Sequence, residues 1–379
     1  MRKLRTVALV AALATLTSSC AIWSWGSNAN GQLGNGTTTD SATPIQVGDD
    51  VVDVAAGGNH SCRVFESGRL QCWGQNEQGQ VGDGTTTDRP SPTSIGTDED
   101  WRLVDAGGTG IYQLTGFTCA LKDDDTLWCW GDNQLGQLGE GTTIDRTSPV
   151  QALGGDFQQL ALGGSSACAT RFSSLELWCW GGISAAGAVL SPIKFTTLTG
   201  WTSIAAGFRH KCGVRAGELW CWGDNEWGQL GLGDTLDRIT PTRVGTDTDW
   251  ESVGLGGGHS CAVKTTGTLW CFGANDSGQV GDGTTTDRLV PTQVGSAADW
   301  YSVAAGGVPR IFPFTGAEGH TCGVRVGNDL WCWGGSGLGQ VGNGTTGTFV
   351  STPSQVGVGA TWIVVDLGEA HSIALDYND

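Results

Sequence analysis

Basic residues are scarce in this chain. Its 379 residues hold 20 Lys and Arg against 38 Asp and Glu, a formal net charge of −18. Beyond Arg2, Lys3 and Arg5 no cluster of basic side chains occurs, so phosphate backbones and anionic lipid headgroups find nothing to pair with. Nucleic acid is therefore excluded as a partner class. Long apolar runs are also lacking. Val7 to Leu16 offers ten residues, about half of the ~20 that span a hydrocarbon layer. Proline is rare, 10 residues against 63 glycines, and no Gly-X-Y period appears, which excludes collagen-like and Pro-rich architectures. Gly-x-Ser-x-Gly, phosphate-binding Gly loops, His-Glu-x-x-His and Cys-x-x-Cys are all missing. No catalytic or zinc-binding motif is thus announced, and no cofactor or metal is expected.

Among the residues that are present, glycine implies many tight turns and hence many short strands. The 18 tryptophans supply enough apolar area for a substantial core. The N-terminus reads as an address: three basic residues, the short apolar run, then small polar residues and Cys20 make an export signal. Leu16-Thr17-Ser18-Ser19-Cys20 resembles a bacterial lipoprotein signal, with cleavage before a Cys that is then acylated, although Leu16 stands one position early. Ordinary cleavage after Ser19 or Ala21 would instead release a secreted protein. On either reading residues 1–19 are the signal, and their loss removes Arg2, Lys3 and Arg5, carrying the net charge from −18 to −21. Residues 20–379 form one extracytoplasmic domain.

An aromatic-Gly pair recurs at Trp25, Trp73, Trp130, Trp180, Trp222, Phe272 and Trp333. Gly-Gln-[Leu/Val]-Gly follows six of the seven, as at Gly79 to Gly82, and then a Thr/Asp/Gly turn; the fourth phase, after Trp180, has lost this loop. Each unit continues with Pro-x-x-Val, a Trp-led run ending in small residues, and a pattern such as His259-Ser260-Cys261-Ala262-Val263. Four short antiparallel strands per repeat, seven times over, predict an all-β, seven-bladed β-propeller.

Twelve of the thirteen cysteines fall into local pairs: Cys62 with Cys72, Cys119 with Cys129, Cys168 with Cys179, Cys212 with Cys221, Cys261 with Cys271, and Cys322 with Cys332. Setting Cys261 opposite Cys271 puts Ala262 against Trp270 and Val263 against Leu269, leaving a three-residue turn with Gly267 in the left-handed position. Cys212 and Cys221 stand one residue closer, and the same pairing leaves the two-residue turn Ala216-Gly217. Facing cysteines in an exported chain predict disulfides. Cys20 is left over. Ile22 to Gly26 matches Leu-Trp-Cys-Trp-Gly with Ser24 at the Cys place, and Gly368 to Leu375 matches the His-Ser-Cys unit with Ile373 at the Cys place. These two orphan strands are expected to pair and close the ring.

The motifs Trp-Gly-x-Asn, Gly-Gln-Leu-Gly, Pro-x-x-Val and Ala-Gly-x-x-His-Ser resemble the repeat of the regulator of chromosome condensation family, over essentially the whole chain after residue 19. The resemblance implies the seven-bladed fold. In eukaryotes it also implies nucleotide exchange on a small GTPase and chromatin docking. The export signal, the cysteine pairs, the acidic balance and the lack of a basic tail depart from that pattern. An exported bacterial propeller of this family that covers a β-lactamase with one face is the nearer likeness.

All five histidines, His60, His210, His259, His320 and His371, share one repeat position. Spread around a ring they cannot converge on one ion, and a partly buried His satisfying backbone groups is expected in each blade. Asp83, Asp88, Asp282 and Asp287 read as solvated turn residues rather than calcium ligands. Asn35, Asn275 and Asn343 fit glycosylation sequons, or simply turns. Two insertions at one repeat position, Thr109 to Phe117 and Val308 to Gly319, must emerge on one face. They carry Ile111, Tyr112, Leu114 and Phe117, and Arg310, Ile311, Phe312 and Phe314, a mixture of aromatic groups and Arg enriched at interfaces. Packing over the blade ends as mini-cores is the competing account. The leading expectation is a monomeric, non-enzymatic binding or adhesion scaffold, secreted or lipid-anchored at Cys20, that recognises a protein or glycan through this loop face. A cell-envelope enzyme acting on polysaccharide, with acids facing a channel, is the second reading. A guanine-nucleotide-exchange-like regulator comes last.

Overall fold

In a computed structural model that describes residues 20–109, 115–184, 187–308, 318–347 and 349–377, every regular element is a β-strand. The cysteine hairpins form in the expected register. Cys261 stands opposite Cys271, Ala262 opposite Trp270 and Val263 opposite Leu269. In the shorter hairpin, Val214 faces Leu219, and Ala216 and Gly217 both take positive φ, 50° and 76°, as a two-residue turn between twisted strands requires. All six predicted disulfides are present, each with its Cα atoms 4.1 Å apart.

The 28 strands make seven four-stranded antiparallel sheets. From the centre outward, blade 1 is Val51–Ala56, His60–Phe65, Leu70–Gly74 and Arg89–Ser94. Blades 2 to 6 begin at Trp101, Phe157, Trp201, Trp250 and Trp300. Blade 7 is composite: Trp362–Leu367 and His371–Tyr377 join Cys20–Gly26 and Ser41–Gly48. Its central seam runs from Cys20 opposite Tyr377 to Gly26 opposite His371 and sets Ser24 against Ile373. The blade without a cystine is therefore the one in which the two ends of the propeller meet.

Packing between blades explains why both faces of the third strand are apolar. One face of blade 1 carries Cys62, Val64, Leu70 and Cys72, and it is buried under Trp130 and Val104 of blade 2. The same arrangement places Cys261, Val263, Leu269 and Cys271 against Trp300 and Trp333. Trp25, Trp73, Trp130, Trp180 and Trp333 are fully buried in this way. Each such ring removes roughly 200 Å² from water, an upper bound of about 5 kcal/mol of hydrophobic stabilisation at ~25 cal/mol/Å².

Candidate functional site

The two ends of the ring differ. At one end lie the hairpin turns and the strand start at Cys20; at the other, where Gly74 pairs with His60, lie the loops between first and second strands and the Gly-Gln-Leu-Gly loops between third and fourth. This loop end is built on a repeated polar node. In four of the six loops the main-chain carbonyl of the loop Gln accepts two hydrogen bonds from the following blade. Gln32 O takes Trp73 Nε1 at 2.9 Å and Ser61 Oγ at 2.9 Å, and Gln279 O takes Trp333 Nε1 at 3.0 Å and Thr321 Oγ1 at 2.8 Å.

The same hydroxyls receive the histidines of the preceding blade. His371 Nε2 lies 2.9 Å from Ser61 Oγ, His60 Nε2 2.8 Å from Thr118 Oγ1, and His259 Nε2 2.8 Å from Thr321 Oγ1; His210–Ser260 and His320–Ser372 repeat the contact. Because each hydroxyl gives its one proton to the Gln carbonyl, it must accept from Nε2–H, which fixes the tautomer. Burial is the first cause that lowers the imidazoles, to about 3 in His60, His210 and His320 and about 4 in His259 and His371. The rings are completely buried and bond side-chain hydroxyls across the interface. That corrects the expectation of partly buried histidines serving backbone groups, since the partner is supplied by the neighbouring blade. His371 to Ser61 spans the composite blade 7 and blade 1.

The Asp-rich turns are also more tightly held than expected. Asp83 pairs with Arg89 and accepts from Thr85 Oγ1 at 2.7 Å; Asp282 does the same with Arg288 and Thr284. Burial opposes ionisation of Asp83, but the hydrogen bonds from Thr85 and Arg89 more than offset it and hold the carboxyl below its ordinary value. Asp88 and Asp287 accept the backbone N–H of Asn76 and Asn275. These buried asparagines tie the loop together, Asn275 Nδ2 donating to Thr284 O and Thr286 O. Asn275 is thus a loop-organising residue rather than an exposed glycan acceptor, and the four aspartates are loop clamps rather than solvated turns.

Of the sequence-predicted interface residues, Ile111, Tyr112, Leu114, Arg310, Ile311, Phe312 and Phe314 lie outside the described residues. Phe117 does not belong with them. It is fully buried in blade 2, paired with Gly131 in the place that His60 holds opposite Gly74 in blade 1, because the insertion ends before it and the strand resumes at Thr115. Cys20 is half-buried at the start of its strand, directly followed by fully buried Ala21 and Ile22. Burial, with Asp376 and Glu66 adding to it, raises its thiol pKa.

The central channel, a cavity of about 280 Å³, is walled by the innermost strands. Three of its four acids serve the backbone of the next blade. Asp366 accepts from Ala56 N at 3.0 Å, Asp53 from Val104 N at 2.8 Å and Asp105 from Leu162 N at 3.1 Å. Among the described residues no group of three or more His, Cys, Asp or Glu side chains is arranged to hold a metal, and no helix is long and apolar enough to cross a membrane.

Two interfaces depart from this node: between blades 2 and 3 Phe117 and Ala167 hold the places of the histidine and the hydroxyl, and between blades 3 and 4 the loop itself is missing. Blade 3 passes from Leu177–Ser184 to Gly187–Lys194 without a Gly-Gln-Leu-Gly loop, so the node between blades 3 and 4 has no Gln carbonyl. Lys211 replaces the hydroxyl residue there, opposite Trp222, and Ser166 replaces the histidine, opposite Gly181. The substitution of Lys for Ser beside a missing loop was visible in the sequence, but its meaning depends on which blade faces which.

Comparison with known proteins agrees with this geometry. Residues 21–64, 67–111, 124–170, 216–263 and 266–307, more than half of the chain, match the Regulator of chromosome condensation (RCC1) repeat. The chain is 34% identical over 237 residues to the human E3 ubiquitin-protein ligase HERC2, a match covering 58% of this chain and 5% of that protein. It is 29% identical over 245 residues to the Ultraviolet-B receptor UVR8 of Arabidopsis thaliana, covering 60% of this chain and 54% of the receptor. The chain therefore spans a small part of the first relative and about half of the second. Among solved structures, Prp20p from Saccharomyces cerevisiae superposes with a TM-score of 0.79 at 20% identity, covering 95% of this chain and 92% of the other. Human WBSCR16 gives 0.80 at 16%, covering 94% and 98%. Repeat, strand order and closure together establish that this chain belongs to the regulator of chromosome condensation repeat family.

Proposed function

We propose that the chain is an exported protein-binding scaffold that presents the loop end of its ring to a partner. The observation that carries this reading is the pair of insertions at equivalent places, between Thr109 and Thr115 of blade 2 and after Gly306 of blade 6, on a ring braced by six disulfides. A rigid frame lowers the ordering entropy that loops lose on binding. Six disulfides also suit an oxidising, extracytoplasmic compartment. Acylation of Cys20 would set the hairpin end against a membrane and aim the loop end outward, because Cys20 begins its strand at the hairpin end. Secretion without an anchor leaves the loop end equally free, and a glycan ligand would use the same surface. Three of the four channel acids, Asp53, Asp105 and Asp366, are already engaged by backbone N–H groups, which weighs against the polysaccharide-cleaving alternative.

The test is the triple variant Tyr112→Ala, Phe312→Ala and Phe314→Ala of the chain from Cys20 onward. Partner capture from envelope extract should fall at least tenfold while the melting temperature stays unchanged. Equal capture by the variant would dismiss the inserted loops as the site, and turnover of a polysaccharide by the unmodified protein would favour the enzyme.

A further inference from the structure

The break between blades 3 and 4 leaves two hydrogen-bond donors without the acceptor that serves them elsewhere. Strand register puts Lys211 opposite Trp222, as Ser61 stands opposite Trp73 and Thr321 opposite Trp333. Those residues donate to Gln32 O and Gln279 O. Among the described residues neither Lys211 Nζ nor Trp222 Nε1 hydrogen-bonds any protein acceptor. Lys211 is only 5% exposed and makes no ion pair, unlike Lys122, Lys194 and Lys264. Burial pulls its pKa down to about 8, with Asp224 acting in the opposite direction. A buried ammonium without a counter-charge is unfavourable, yet most of it is still protonated at neutral pH.

The surrounding charges define what fits. Arg209, mostly exposed, lies 3.9 Å from Asp224 across the neighbouring turn, and His210, next in sequence to Lys211, is neutral at pH 7 because burial holds it at about 3. Ile183 and Phe195 pack in one cluster with Trp222, Phe195 stacking on its ring with centroids 5.7 Å apart. These give the gap apolar walls. A neutral carbonyl would satisfy the indole but leave the ammonium charge uncompensated. A phosphate would bring up to two negative charges close to Asp224 in a protein of net charge −18. One carboxylate has one charge for one lysine and two oxygens for two donors.

We propose that this gap is a carboxylate-binding site in which Lys211 Nζ and Trp222 Nε1 hold the ligand's oxygens where the Gln carbonyl stands in the other interfaces, with Arg209 at its mouth. The site is separate from the inserted loops, so each can fail without the other.

The experiment uses the oxidised chain from Cys20 onward with ¹⁵N-labelled tryptophan. The Trp222 indole resonance is assigned with Trp222→Phe, a change the fold accepts because Phe272 holds that place in blade 5. Sodium acetate is titrated against sodium chloride at equal ionic strength and pH 7. A saturable acetate-specific shift of the Trp222 resonance is expected, weakened at least tenfold in Lys211→Met and in Lys211→Ser, the latter restoring the hydroxyl of the other blades. N-acetylglycine should reproduce the shift and N-acetylglycinamide should not. Tighter binding of N-acetylglycine identifies a peptide carboxylate as the natural source, and tighter binding of glucuronate a sugar acid. No saturable shift, an equal response to chloride, or an undiminished shift in both Lys211 variants would overturn the site.

Discussion

Single histidines brace the ring, and their contribution can be separated into shape and hydrogen bonding. Phe117 occupies the histidine place in blade 2, fully buried, so an aromatic ring without nitrogen is compatible with the interface. His259→Phe should therefore lose only the bond to Thr321, which keeps its own acceptor in Gln279 O, and unfold with a loss of about 1 kcal/mol. His259→Ala also leaves a cavity and should lose about 3 kcal/mol; guanidinium denaturation of the two variants reads the difference. The same histidines set the response to acid. Their folded pKa values, about 3 to 4, lie below the ordinary 6.5 or so of an unfolded chain. Between those limits the unfolded state binds protons that the native state does not, so stability falls as pH drops from about 6.5 toward 4, and the histidines add no slope above 6.5. Each contributes up to about 1.4 kcal/mol per pH unit. Asp132, raised to about 6 by burial first and Asp145 beside it, and Asp224 and Asp376, both raised by burial first, act in the opposite direction above their ordinary values, as three groups against five. Melting curves from pH 7.5 to 4.5 should show a steep fall that is shallower by about one proton in His259→Phe; parallel slopes would contradict this account.

Hairpins and loops carry the next level of specification. Each Gly-Gln-Leu-Gly loop must come within contact distance of the next blade's tryptophan: a Cβ on Gly82, whose φ is +87°, would sit 2.5 Å from Trp130 Nε1. Gly82→Ala should displace that ring and lower stability by about 2 kcal/mol or more, visible as a loss of the buried-indole signal and a drop in melting temperature. Removing a staple is a separate test. Cys261→Ala with Cys271→Ala closes no loop in the unfolded chain and should lose about 2 to 3 kcal/mol, without abolishing the blade, since Ser24 and Ile373 already form that pair without sulfur in blade 7. Elements of this kind were legible in the sequence because their information is local. The spacing of Cys212 and Cys221 dictates a two-residue turn, and alternation along Leu269 to Phe272 demands two apolar neighbours. What the sequence did not show depends on which strands and loops face one another, within a blade and between blades some 50 residues apart. The relay from His259 through Thr321 to Gln279 O joins two blades, the clamp from Asp88 to Asn76 reverses the reading of a solvated turn, and Phe117 looked like the end of an insertion until strand pairing put it in the histidine column.

At the scale of the whole molecule, stability rests on closing a circle, and the seam in blade 7 is its one non-covalent hairpin equivalent. Deleting residues 367–379 removes the strand paired with Cys20–Gly26 and the His371–Ser61 link; the melting temperature should fall sharply and the ring should become protease-sensitive. The converse change tests the same closure by gain. Ser24 and Ile373 are fully buried and occupy the register of the six cystines, so Ser24→Cys with Ile373→Cys should form a seventh disulfide. It would close a loop of about 350 residues, for which the chain-entropy account gives about 5 to 6 kcal/mol. Loss of the Ser24 Oγ bond to Leu33 O takes back about 1 kcal/mol, and loss of the Ile373 side chain takes back more. The net gain should still be several kcal/mol, and it should vanish on reduction of that bond alone. Non-reducing peptide mapping must show the new crosslink joining the two ends of the propeller. A crosslink that forms without raising the midpoint of unfolding would mean that unfolding does not begin at the seam, and that the blades, rather than the closure, limit the stability of the ring.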